Sequence, residues 1–203
     1  MGFFFCIEGI DGAGKNTQSK LLMEKLSTVG KTCSLYTYPD YREAYGKRIK
    51  AFLDKEIEID VEELTLLYAI DMLKDKKRFS EKLNNGEIII TDRYFISTVA
   101  YGSAGGFDYE RLKVIEETIA LPKPSAVFYL DIPVDISSQR KMREKSSLDR
   151  FEESAAYLGR VKSAYDRLYE EKFATDNWVK IDGKESINKI HETIFSTVKE
   201  IIG

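Results

Sequence analysis

The chain has 203 residues, 31 of them Lys or Arg and 34 Asp or Glu, for a formal charge of −3. A folded chain of this length exposes roughly 9,700 Å², against about 34,000 Å² unfolded, which leaves room for one sizeable core. The charge balance argues against a dedicated nucleic-acid binder, the longest apolar runs (residues 3–7 and 126–130) are too short to cross a membrane, and a lone histidine argues against Ser-His-Asp hydrolysis and His-rich zinc sites.

Residues 3–8 read as a short apolar strand, followed by a Gly-rich turn and a helix over 15–28 that Gly30 closes. Residues 32–36 read as a strand ending before Pro39, and 44–53 as a helix. Residues 61–83 read as one long helical stretch, closed by Asn84-Asn85-Gly86. A buried strand over 88–91 comes next, then a helix over 108–120 with acidic residues early in it. Residues 126–131 form another buried strand. Residues 134–144, 153–173 and 186–202 read as helices, with 178–181 a last strand between the final two. No repeat, low-complexity stretch or long linker interrupts this order, so residues 1–203 are expected to form one domain. Cys6 and Cys33 read as buried free thiols of a cytoplasmic protein. His191, flanked by Asn188, Lys189 and Glu192, reads as an exposed histidine on a polar helix face. The opening Met-Gly does not continue into a myristoylation motif, because position 6 is Cys.

Strands of four to six apolar residues alternating with helices indicate an α/β chain. Its five-stranded parallel sheet is expected to have helices on both faces. Ligands of such folds bind at the C-terminal ends of the strands. At the end of the first strand stands Gly9-Ile-Asp-Gly-Ala-Gly14-Lys15-Asn16-Thr17. Glycines let backbone N–H groups converge on phosphate oxygens, and the following helix N-terminus adds partial positive charge. Gly9, Gly12, Ala13, Gly14, Lys15, Asn16 and Thr17 are thus expected to hold a nucleotide, with Lys15 on its β and γ phosphates. The Ser or Thr that usually follows the lysine and holds Mg²⁺ is Asn16 here. Metal ligation either differs from the usual loop or falls to Thr17 and carboxylates.

The third strand runs into Asp92-Arg93-Tyr94, then Ser97, Thr98 and Tyr101. An arginine at a strand end beside a phosphate loop suits bidentate capture of a second phosphate. Asp92 is placed to hold a metal-bound water or to fix Arg93.

With these residues the chain resembles the thymidylate kinase family, P-loop enzymes that phosphorylate dTMP with ATP. The resemblance rests on Glu8 through Thr17, Tyr38-Pro39, Asp92 through Tyr101, Leu121-Pro-Lys-Pro124, Tyr129-Leu-Asp131 and Asp149-Arg-Phe-Glu152, which follow the family's order across most of the chain. It implies a three-layer nucleoside monophosphate kinase architecture with a lid at about 139–152, a commonly homodimeric assembly and Mg-ATP as donor. By that pattern Asp11 meets the acceptor's 3′-hydroxyl and Arg93 binds its phosphate. Ser97, Thr98, Tyr101, Pro39 and Leu53 line the nucleoside pocket, and Tyr68 stacks on the base. Two departures stand out. Met72 occupies a place where the family usually has an arginine that hydrogen-bonds a base carbonyl, and Asp40 comes first after Pro39 where an arginine often stands, with Arg42 two residues on.

Residues 139–145, Gln-Arg-Lys-Met-Arg-Glu-Lys, are the densest basic stretch. The loop carries Gly12 and no arginine, so the chain resembles the subclass whose catalytic cation sits in the lid, with Arg143 or Lys145 the candidate. Arg140 is assigned to adenine, with Asp182-Gly183-Lys184 on its other side. Glu152 is expected to contribute to the metal site, with Asp92 and Thr17, or to orient the lid. The acceptor phosphate is already an anion, so alignment and charge neutralisation suffice without a general base. Three rivals stay open: a deoxynucleoside kinase, for which Glu8 is the one evident base; a kinase for another monophosphate such as dUMP; and a non-catalytic nucleotide-binding protein.

Overall fold

A computed structural model of the protein describes residues 2–144 and 149–203. Five strands, β1 (Phe3–Glu8), β2 (Cys33–Thr37), β3 (Ile88–Asp92), β4 (Ala126–Asp131) and β5 (Trp178–Asp182), form one sheet in the order β2-β3-β1-β4-β5, every pair parallel. All of β3 and all of β1 but its first residue are buried. Since side chains on a strand alternate between faces, burial at consecutive positions means that both faces are covered. Nine helices are described: α1 (Lys15–Thr28), α2 (Ala44–Leu53), α3 (Val61–Leu73), α4 (Lys76–Asn84), α5 (Phe95–Ala104), α6 (Tyr109–Ile119), α7 (Val134–Glu144), α8 (Ala155–Glu170) and α9 (Ile187–Ile202). Their starts carry local signals. Asp60, Asp108, Ser154 and Ser186 each accept a hydrogen bond from a backbone N–H in the first turn of α3, α6, α8 and α9. The described residues expose 9796 Å², close to the area that length alone implies.

Four expectations need correcting. The stretch over 61–83 is two helices, not one. Asp75 donates its N–H to Met72 only three residues back, and its carboxylate accepts from Tyr38 Oη at 3.1 Å and from Arg78 at 2.6 Å. The polar demands of the β2 loop thus tighten and end α3 there. The helix α5, absent from the sequence reading, is buried at every position but Ser103. A helix enclosed on all sides shows no 3.6-residue alternation to read. His191 is half-buried rather than exposed, stacked on Phe195 at 6.1 Å, and burial followed by the charge of Lys25 holds its imidazole below the ordinary value. Cys6 is buried as expected, whereas Cys33 is half-buried, because β2 is an edge strand.

The core divides in two. The main cluster surrounds the sheet. A smaller one, Ile49, Phe52, Leu53, Ile59 and Leu64, lies between α2 and α3, with Tyr68 and Phe151 packed against it.

Candidate active site

The loop after β1 turns on glycine. Gly9 has φ +141°, and a Cβ there would sit 2.6 Å from the Leu130 carbonyl oxygen. Gly12 has φ +72°, and its Cβ would sit 2.9 Å from the Ser137 carbonyl oxygen. Any other residue is therefore excluded twice at each place, by backbone and by space. The α7 helix braces this loop: Ser137 Oγ donates to the Asp11 carbonyl at 2.6 Å, and Arg140 donates to the carbonyls of Gly12 at 3.1 Å and Gly183 at 2.9 Å. Arg140 therefore bridges the loop and the β5–α9 turn, the side on which the sequence places it. Lys15, the first residue of α1, is 6% exposed and donates from Nζ to the Ile10 carbonyl at 2.9 Å. Burial, then the charge of Arg93, pulls its ammonium down to about 8, with Asp11 working the other way.

Arg93 follows β3 with φ +67°, a left-handed conformation unusual for a residue with a side chain. Its own N–H bonds to the Ile7 carbonyl at 3.1 Å, and the next N–H, of Tyr94, bonds to Glu8 Oε1 at 2.8 Å. These bonds offset a backbone strain of about 1–3 kcal/mol. The guanidinium reaches Asp11 Oδ1 at 2.6 Å, Tyr101 Oη and Ser97 Oγ each at 3.1 Å, and the Gly9 carbonyl at 3.2 Å. Tyr101 Oη donates to the other Asp11 oxygen at 2.7 Å. Burial works to raise the Asp11 carboxyl, but the charges of Arg93 and then Lys15 outweigh it and hold the group below the ordinary carboxylate range. Loop and strand end thus form one charged unit, Lys15–Asp11–Arg93.

Two clefts meet at this unit. One, with about 930 Å³ of empty space, is lined by Gly12, Gly14, Lys15, Asn16, Thr17, Asp92 and Arg93 among others. The second, of about 470 Å³, shares Asp11 and Arg93 with the first and is walled by Pro39, Leu53, Tyr68, Met72, Ser97, Tyr101, Asp149 and Phe151. The structure therefore brings together most of the residues singled out in the sequence. Among the residues assigned to the acceptor pocket Thr98 is the exception: it is buried and lacks a place in that wall, and its Oγ1 has no hydrogen-bond partner. Ala13 is buried under the loop. Arg42 does not reach the cleft as a free cation: it folds back in a bidentate pair on Asp40, at 2.8 and 2.9 Å.

Several residues of the clefts were not singled out. Asp149 and Phe151 belong to a quoted motif, so their place was within reach. Tyr38 likewise belongs to a quoted motif, Tyr38-Pro39, whereas Tyr41 carries no sequence signal of its own. Lys141 lines the cleft of about 930 Å³, whereas Arg143 is exposed. Lys145 lies outside the described residues. Glu152 pairs with Lys141 at 3.4 Å and accepts the Asp149 N–H at 2.9 Å. Glu8 is fully buried, its oxygens accepting from Tyr94 N, Ser97 Oγ (2.6 Å) and Tyr165 Oη (2.9 Å).

Comparison with known proteins places this arrangement. A family model described as thymidylate kinase matches residues 7–194. The chain is 34% identical to a probable thymidylate kinase of Methanocaldococcus jannaschii, across 98% of this chain and 96% of that one. It is 32% identical to the thymidylate kinase of Dictyostelium discoideum, across 96% and 84%. Among solved structures, a thymidylate kinase from Candida albicans superposes with a TM-score of 0.79 at 25% identity, covering 98% of this chain and 92% of that one.

Proposed function

Because the chain belongs to the thymidylate kinase family and phosphorylates dTMP to dTDP, we propose that it does so by in-line transfer of the γ-phosphoryl group of Mg-ATP, with residues 1–203 acting as one domain. The observation that supports this reading is that Lys15 lines one cleft while Arg93 and Asp11 line both, so that two clefts meet at a pair of cations. The donor phosphates lie on the loop from Gly9 to Thr17, with Lys15 at their β and γ groups. Arg140, fixed between Gly12 and Gly183, borders the adenine. On the other side Arg93 holds the dTMP phosphate, and Tyr68, Leu53, Pro39, Ser97 and Tyr101 enclose the nucleoside. Asp11, bonded to both Arg93 and Tyr101, is the group presented to the 3′-hydroxyl.

Mg²⁺ prefers oxygen donors and keeps several waters, binding through one or two carboxylates plus substrate phosphates. The residues fit that habit: Asp92 is buried at the cleft wall beside Thr17 and Asn16, and no cluster of three metal-ligating side chains occurs among the described residues. Asp92 and Thr17 would hold the ion, which when bound neutralises phosphate charge. The rest is the protein's own work, orienting two anions and excluding water. Glu8 favours this reading over a hydroxyl acceptor, because a base must reach its proton, and this carboxylate is enclosed by Tyr94, Ser97 and Tyr165.

Two further proposals concern the surroundings. Leu66, Ile70 and Leu73 form an exposed apolar stripe on α3, at 43%, 38% and 38%, which suits pairing with a second copy. No described helix is long and apolar enough to cross a membrane, and free Cys6 and Cys33 suit a reducing cytoplasm. The test of the reaction is ADP release from Mg-ATP with dTMP, dUMP, UMP, CMP, AMP, GMP and thymidine in parallel. A clear preference for dTMP, lost on chelation of the metal, is expected. Transfer to thymidine in place of dTMP, or ATP binding without any turnover, refutes the proposal.

A further inference from the structure

The cleft that holds Lys15 and Arg93 has a third cation in its wall, Lys141. Its side chain is 17% exposed, and its Nζ lies 3.4 Å from Glu152 Oε1. The turn of α7 that carries it is pinned, since the neighbouring Arg140 bonds to the loop at Gly12 and to Gly183. Two residues along a helix is a rotation of about 200°, so Arg143 faces away when Lys141 faces in, and Arg143 is indeed exposed.

Glu152 is not a passive counter-ion. It is 3% exposed and belongs to a reciprocal cap: its Oε2 accepts the Asp149 N–H at 2.9 Å, while Asp149 Oδ1 accepts the N–H groups of Phe151 and Glu152, both at 3.0 Å. That turn is tied to the acceptor side. Arg150 donates from its backbone to the Leu53 carbonyl at 3.1 Å and from Nε to the Phe52 carbonyl at 3.1 Å, and grips Glu58 through Nη1 and Nη2 at 2.9 and 2.8 Å. Its neighbours Asp149 and Phe151 stand in the acceptor wall. One four-residue turn therefore lines the acceptor pocket with two side chains and, with a third, Glu152, pairs with the Lys141 that lines the phosphate cleft.

We propose that Lys141 is a catalytic residue, its ammonium contacting the phosphoryl group in flight, and that Glu152 is the positioning residue that aims it. The inference rests on the phosphoryl-transfer reading above. In the step, an acceptor phosphate oxygen forms the new bond to the γ phosphorus while the bond from phosphorus to the bridging oxygen breaks. The electron pair stays on that oxygen, and no proton moves. Charge then spreads over the three equatorial oxygens between donor and acceptor. Lys15 neutralises the donor end and Arg93 the acceptor end. Lys141 supplies the cation between them.

Steady-state kinetics with Mg-ATP and dTMP test this in the full-length wild type, Lys141→Met, Lys141→Arg, Glu152→Gln, Arg143→Met and the Lys141→Met/Glu152→Gln double variant. Lys141→Met is expected to lower kcat by about 10²-fold or more with KM for dTMP within about threefold, as for loss of a contact made only in the transition state. Lys141→Arg is expected to recover most of that loss. Glu152→Gln is expected to lower kcat about tenfold alone and to add nothing to Lys141→Met. Wild-type kcat in Lys141→Met, above all with the loss appearing in Arg143→Met, overturns the assignment. A full additional tenfold loss in the double variant overturns the positioning role of Glu152. Absence of transfer by the wild type overturns the reaction itself, a result distinct from an active wild type with an unimpaired Lys141→Met.

Discussion

Lys15 is held charged where folding alone gives it too little compensation, and removing that charge separates stability from activity. The interval between about 8 and the ordinary lysine value of 10.5 corresponds to about 3 kcal/mol by which folding disfavours the ammonium. Lys15→Met keeps the hydrocarbon stem and loses the charge, and with it the 2.9 Å bond to the Ile10 carbonyl. That bond to a charged donor contributes about 1.5–2 kcal/mol. The ligand-free variant is therefore expected to be more stable than the wild type by about 1–2 kcal/mol at pH 7, or about 3–6 °C in Tm for a chain of this size, while its turnover falls by at least about 10³-fold. The pH dependence fixes the cause. Between about 8 and 10.5 the unfolded chain binds more protons at Lys15 than the folded one, so wild-type stability rises with pH across that window. The variant's advantage is full below about pH 7, is cancelled near pH 9, and by pH 10 the wild type is the more stable protein. Urea unfolding of both proteins at pH 7 and pH 10, without nucleotide, measures it. Saturating ATP should reverse the order, since it stabilises only the protein that binds it. A variant less stable than the wild type at pH 7, or an advantage indifferent to pH, refutes the reasoning.

Other perturbations follow from the same geometry. Arg93→Ala removes the proposed acceptor-phosphate partner and leaves Asp11 with Tyr101 and the charge of Lys15, so kcat/KM for dTMP is expected to drop at least about 10³-fold while ATP affinity, read by calorimetry, changes little; a loss below tenfold contradicts the role of Arg93. Tyr68→Ala, which removes the ring proposed to stack on the base, is expected to raise KM for dTMP by about 10–100-fold, and an unchanged KM would place the base elsewhere. Met72 lines the acceptor wall with no hydrogen-bond donor; Met72→Arg is expected to raise the dTMP-to-dCMP ratio of kcat/KM by about tenfold or more, and an unmoved ratio means that position 72 does not border the base edge. Ile70→Glu, at the centre of the exposed α3 stripe, is expected to convert a dimer to monomer in sedimentation velocity, whereas an unaltered sedimentation coefficient refutes pairing through that face.

What the sequence discloses, and what it hides, divides along physical lines. The strands β1, β3 and β4 are legible because burial on both faces leaves unbroken runs such as Ile88-Ile-Ile90 with no competing pattern. The loop from Gly9 to Thr17 is legible because its glycines answer a local need. Four helix starts show in Asp60, Asp108, Ser154 and Ser186. By contrast, the break after Leu73 depends on Asp71 and Asp75 bonding to Asp40 N and Tyr38 Oη, partners more than thirty residues away. The α5 helix hides because tertiary burial erases its periodicity. In the basic stretch, Lys141 and Arg143 are alike in composition, and only the seating of α7 on the loop decides which faces the cleft. The sequence identifies a surplus of cations there and leaves their direction to packing.

The small cluster of Ile49, Phe52, Leu53, Ile59 and Leu64 has a consequence for how this enzyme can vary. It stands apart from the core around the sheet, yet its Leu53, with Tyr68 and Phe151 packed against it, reaches the wall proposed for the acceptor. A cooperative unit with its own few apolar contacts opens at lower free energy than the sheet. Amide exchange over α2 and the start of α3 should accordingly outpace exchange in β1 and β3. The same insulation confines the cost of altering that wall. Substitutions at Tyr68 and Leu53 are accordingly expected to shift which nucleobase is accepted at little cost to the sheet, so that one chassis serves as a stable host for drifting substrate preference.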